Sequence, residues 1–204
     1  MKKALKIGLS VLIPVTVVLG LALICSPKPK FNDTVLVAGQ PLEKIVKDSE
    51  VILTGEVTNI SGTKLASEGN RWFEDALGYR EVTIKVERFL YNSIGLNDEV
   101  KIVVLGGQMR PPLDVALRKG NPFLVRHFAD EAQFEVGEKM LVFLKRGYIG
   151  YKKANGEEGK MNRLGLVGCW QGKFRVEGNE AVNYLPELSR DISEIEKMVR
   201  QKAL

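Results

Sequence analysis

Strict alternation is the clearest pattern along the chain. From Glu81 to Glu87, Val82, Ile84 and Val86 alternate with charged or hydroxyl residues. That predicts a strand with one face on a core and the other in water. Val51–Ile60 is rich in β-branched residues and predicts an earlier strand. After a turn at Leu96-Asn97-Asp98, Val100, Ile102 and Val104 alternate again, and Gly106-Gly107 ends that strand. Between its two terminal lysines, Lys139–Lys145 is apolar on both faces, the pattern of a strand at the centre of a sheet. Tyr148–Lys153 and Leu164–Val176 supply further strand material, where Gly165, Gly168 and Gly172 allow bends or bulges.

Three segments carry helical signals instead. Pro41–Lys47 sets Leu42, Ile45 and Val46 on one face behind an initial proline. Pro111–Gly120 starts on proline, turns basic in its last turn and closes on glycine. Asp191–Ala203 carries an apolar stripe of Ile192, Ile195 and Val199, and Asp191 with Glu194 predicts a capping box. The expected fold is therefore mainly β: a small OB-like Greek-key barrel, with a short helix between strands and flanking N- and C-terminal helices.

Val51–Val57, Val82–Glu87 and Val136–Leu144 together resemble uncharacterised secreted or anchored prokaryotic proteins with an OB-like barrel. They are also distantly similar to the netrin-like domain of metalloproteinase inhibitors. The resemblance covers roughly residues 41–177 and rests on strand pattern. Those inhibitors act through an N-terminal cysteine that ligates the protease metal. No cysteine here matches it, because Cys25 lies in a hydrophobic segment, so the inhibitory activity is not implied.

That segment, Ile7–Cys25, runs 19 residues without a charge. A helix of this length spans about 28 Å, close to the hydrocarbon thickness of a bilayer. Lys2, Lys3 and Lys6 precede it and favour a cytoplasmic N-terminus, which faces the rest of the chain outward. We expect an uncleaved signal anchor, a transmembrane helix within residues 1–26. A spacer follows at 27–40, then an extracytoplasmic β-rich domain at 41–204. Cleavage after Gly20-Leu21-Ala22 is the alternative, and would release a secreted protein. Ile24 occupies the position where a lipoprotein signal needs a small residue.

Charge changes the reading of partners. The net charge of +5 comes from Lys2, Lys3, Lys6, Lys28 and Lys30, and residues 33–204 are formally neutral, with 25 basic and 25 acidic residues. A neutral domain lacks the electrostatic footprint of a phosphate-backbone binder, so nucleic acid is not an expected partner.

Catalytic chemistry has little support. Cys169 could serve as a nucleophile only if folding brought it to His127, the sole histidine. A small buried hydrophobe is the plainer reading of such a cysteine. One histidine near Asp130 and Glu131 has no metal-ligand spacing, so neither metal nor cofactor is expected. Glu74-Asp75, Asp130-Glu131 and Glu157-Glu158 are adjacent pairs that diverge on strands or turns, the pattern of solvated surface.

Two long connections stand out, 61–80 and 106–134. They carry Arg71, Trp72 and Phe73, and then Phe123, Arg126, His127 and Phe128, residue types common in binding patches. Plugging the barrel ends is the competing role for the aromatics. Trp170 reads as core or rim packing. The expectation is a membrane-anchored binding or structural module for a protein, peptide or envelope component. A cell-envelope enzyme or a protease inhibitor is the alternative.

Overall fold

The alternation at Glu81–Glu87 is the middle of a long strand. A computed structural model describes residues 39–66, 77–110, 126–128, 132–153 and 156–202, all within one compact unit that runs from Val35 to Leu204. The described fold is mainly β. Its strands are β1 (Val51–Ile60), β2 (Lys64–Ala66), β3 (Leu77–Asn92), β4 (Glu99–Leu105), β5 (Gly107–Met109), β6 (Arg126–Phe128), β7 (Lys139–Lys152), β8 (Glu158–Leu166), β9 (Lys173–Glu177), β10 (Glu180–Val182) and β11 (Arg190–Asp191). Two α-helices flank them, α1 (Leu42–Asp48) and α2 (Ile192–Lys202).

Nine strands form one antiparallel sheet. Strand β1 lies between β3 and β7, and β4 extends the sheet beyond β3. One edge of β7 is shared: Met140–Val142 pairs with β9, and Leu144–Lys152 pairs with β8. Among the described residues no backbone ladder joins β4 to β8, so the sheet is open. The two strands nevertheless lie side by side, and Arg163 Nη1 on β8 donates to the Val103 carbonyl on β4 at 3.2 Å.

The sheet buries both faces. On one, Val51, Leu53, Val82, Ile84, Val100, Ile102, Val104, Met140, Val142 and Leu144 form a core. On the other, Ile52, Leu141 and Phe143 pack with Leu42 and Ile45 of α1, Ile195 and Val199 of α2, and Phe174. Phe143 and Phe174 meet with ring centroids 5.3 Å apart. Strand β7 is thus apolar on both faces because each face meets a different core, as its sequence predicts. Lys202 clips the helices together: its Nζ donates to the Val46 carbonyl at 2.9 Å and to the Ser49 carbonyl, and it lies 4.3 Å from the centre of the Tyr91 ring.

Two local expectations are corrected. Leu164–Val176 is not continuous strand. After β8 the chain turns through Gly168 and Cys169, at φ of 66° and 58°, into a 3-10 turn at Cys169–Gly172. Gly172 approaches the Val167 carbonyl so closely that a Cβ there would fall 2.4 Å from its oxygen, so the turn requires glycine. At α2, Asp191 Oδ1 accepts from the Ser193 amide at 2.7 Å. Glu194 instead lies 4.0 Å from Arg190 of β11.

The expected membrane helix Ile7–Cys25 and the expected helix Pro111–Gly120 lie outside the described residues. Among the described residues no helix is long and apolar enough to cross a membrane.

Candidate functional site

The 3-10 turn and the loop after β10 both line a cleft of about 670 Å³. Its lining includes Trp170, Lys173, Arg175, Asn183 and Tyr184, together with Ala132, Gln133, Glu135 and Glu138.

The scaffold is polar and local. Asn183 is 5% exposed, and its amide donates to the Gln171 and Lys173 carbonyls, each at 2.9 Å. Its Oδ1 accepts from the Leu185 amide at 3.0 Å, an Asx turn around Tyr184. The Asn183 backbone amide donates to Ser189 Oγ at 3.0 Å. One buried side chain thereby ties the 3-10 turn, strand β9 and the loop to each other. Gln171, fully buried, accepts from the Gln40 amide at 2.7 Å and fixes the same turn to the start of the described domain.

This scaffold holds Tyr184 87% exposed. The ring meets Trp170 nearly edge-on, with centroids 5.6 Å apart and planes at 81°. Trp170 also packs against the core beneath it. An aromatic pair with one ring braced and one presented suits stacking on a ligand, and the tyrosine hydroxyl adds a polar handle.

Charged side chains also line the cleft. Lys173 Nζ is 2.7 Å from Glu138 Oε1, also donates to the Gln133 carbonyl, and lies 4.6 Å from the centre of the Phe134 ring. Arg175 pairs with Glu177 on the same strand and stays largely exposed. The arrangement can bind a ligand through stacking, hydrogen bonds and an arginine at the rim.

The sequence-derived candidates fall elsewhere or beside it. Arg71, Trp72, Phe73 and Phe123 lie outside the described residues. Arg126, His127 and Phe128 form β6, paired with Met109, Gln108 and Gly107 of β5. The end of the same long connection reaches the cleft at Ala132 and Gln133. Cys169 sits half-buried at the left-handed turn beside Trp170. Among the described residues no group of three or more His, Cys, Asp or Glu side chains is placed to hold a metal ion.

Sequence reading missed Tyr184, Lys173, Glu138 and Asn183. A signal for the first existed: Asn183 before Tyr184-Leu185-Pro186 is turn chemistry around an aromatic. No protein-family model, curated protein or solved structure matches the chain.

Proposed function

We propose that the protein is a binding module, tethered to the outer face of a membrane, that takes a protein, peptide or envelope component in the Trp170–Tyr184 cleft. The carrying observation is Tyr184, presented 87% exposed on a fully hydrogen-bonded Asn183 scaffold. Holding a large aromatic in water gains little for folding, whereas exposed, rigidly held tyrosine and tryptophan are common anchors of interfaces. The tether is the uncharged segment Ile7–Cys25.

We read the open sheet as an OB-like barrel that is not closed, among the described residues, by a ladder between β4 and β8. Pairing of β1 with β3 and β7, of β3 with β4, and of β7 with β8 follows the order such a barrel uses. The approach of β4 to β8 through Arg163 and Val103 stands at the closing seam.

Site-specific photocrosslinking in cells tests the reading. A photoreactive residue at position 184 of the full-length protein should trap a discrete partner, and one at Lys85, exposed on β3, should not. Equal products at both positions, or none at 184, would remove the cleft as a recognition surface. Recovery of residues 1–26 on the membrane-bound chain tests the tether separately.

A further inference from the structure

Charge in the Trp170–Tyr184 cleft does not cancel residue by residue. Four charged side chains line it: Glu135, Glu138, Lys173 and Arg175. Lys173 is engaged by Glu138, by the Gln133 carbonyl and by the Phe134 ring. Arg175 is matched by Glu177 on its own strand. Glu135 is left over. Its backbone amide donates to Glu138 Oε2 at 3.2 Å, while its exposed carboxylate has no ion-pair partner among the described residues.

That carboxylate sits on a fixed turn. The Glu138 amide donates to the Glu135 carbonyl at 3.1 Å, and Gly137 between them has a φ of 87°. The Gly137 amide donates to the Val57 carbonyl at 2.8 Å, and the Val57 amide to the Glu138 carbonyl at 3.0 Å, which anchors the turn on β1. Val136 in this turn is 65% exposed. Among the described residues Val136, Tyr148 and Tyr184 are the large hydrophobic side chains left so open. The first directly follows a lining residue and the last is one. Tyr184 also keeps a ring face free, because Trp170, meeting it nearly edge-on, can cover one face at most.

We propose that the cleft recognises a peptide segment that carries an arginine. The guanidinium pairs with the Glu135 carboxylate and stacks on the open face of Tyr184, while an apolar neighbour in the peptide covers Val136. Charge complementarity selects a cation, because Glu135 is the lining charge without a match. Arginine suits the site better than lysine, since one planar group both stacks on a ring and donates to a carboxylate. The exposed valine favours a peptide over a small free cation. A volume of about 670 Å³ is ample for one such side chain and its neighbours. The proposal deepens the binding-module reading of this cleft and rests on it.

Fluorescence anisotropy of full-length protein in detergent micelles provides the test. The probes are fluorescein-labelled peptides of sequence Gly-Leu-X-Leu-Gly, with arginine, lysine, citrulline or glutamate at X. The arginine peptide should bind about tenfold more tightly than the citrulline peptide, the combined worth of one cation–π contact and one exposed ion pair. Glu135→Gln should narrow that ratio to about threefold, and Glu135→Asp should keep it. Glu99→Gln, which changes an exposed carboxylate on β4, should leave it as it is. Equal affinity for arginine and citrulline overturns the proposal, as does tighter binding of glutamate, a ratio indifferent to Glu135→Gln, or no binding of any peptide. Photocrosslinking at position 184 in cells separates this from the broader reading. A partner trapped there with a yield that Glu135→Gln does not change leaves the cleft a recognition surface and removes the arginine. If nothing is trapped, the broader reading falls, and the peptide ratio alone decides whether the cleft takes arginine.

Discussion

Lys173 Nζ lies 2.7 Å from Glu138 Oε1 and joins strand β9 to the turn before β7, with the two side chains only 16% and 14% exposed. The Gln133 carbonyl accepts from the same ammonium, and the Glu135 amide donates to Glu138 Oε2 at 3.2 Å. The pair thus ties together residues that line the same cleft as Tyr184.

Breaking such a pair on one side should cost more than removing it whole. Lys173→Met leaves a largely buried carboxylate, and Glu138→Gln leaves a largely buried ammonium. Each should destabilise by about 2–3 kcal/mol, while the double replacement should cost less than the sum. Urea unfolding of the four proteins measures the coupling. Strictly additive losses would mean that the pair does not act as a unit.

The aromatic pair should separate stability from recognition. Tyr184→Ala removes a ring that is 87% exposed, so stability should change by less than about 0.5 kcal/mol. Trp170→Ala removes packing against the core and should cost about 2 kcal/mol or more. Both should lose whatever position 184 crosslinks. Full capture by a folded Tyr184→Ala protein would show that the exposed ring is not an anchor.

Acid should weaken the domain partly through Glu50. The Arg146 side chain, then its backbone amide, donates to this carboxylate and holds its pKa below the ordinary 4.5. As pH falls, the unfolded chain therefore takes up the proton before the folded one does. The contribution is complete above about pH 4.5 and is lost as pH drops through the lower folded value. Arg146 responds in the matching sense, its own pKa raised by Glu50. Glu50→Gln should be less stable than the parent near neutrality, with the gap closing in acid. Urea midpoints at pH 6 and pH 3 check this, and a gap that does not change with pH would contradict it.

Alternation was a reliable guide where one face met water, as at Val82, Ile84 and Val86. Apolar residues on both faces were equally reliable for β7. Strand β3 outruns its alternation because register shifts at Ile52/Leu53 and Thr54/Gly55 turn its far end. Phe89 then reaches one core, and Leu90 and Tyr91 the other. The turn at Cys169–Gly172 was hidden for a different reason. Glycine there could have meant a bulge, and the approach of Gly172 to the Val167 carbonyl is a tertiary fact. Exposure of Tyr184 depends likewise on hydrogen bonds from Asn183 to residues ten and twelve positions earlier. Local pattern carries no trace of such bonds.

Gly55 should be the least replaceable glycine in the sheet. It pairs with Val86 at a register shift, where β1 and β3 come together closely. A Cβ there would fall 2.5 Å from the Lys85 carbonyl oxygen and 2.8 Å from Ile84 Cγ2. The first neighbour is backbone and the second lies in the core, so relief requires the strands to part. Gly55→Ala should therefore cost about 3 kcal/mol. Gly62→Ala, with nothing within 4 Å of the added carbon, should stay within about 0.5 kcal/mol of the parent. Thermal unfolding of the two variants side by side checks the contrast. A Gly55→Ala protein as stable as Gly62→Ala would mean that β1 and β3 do not meet at this register.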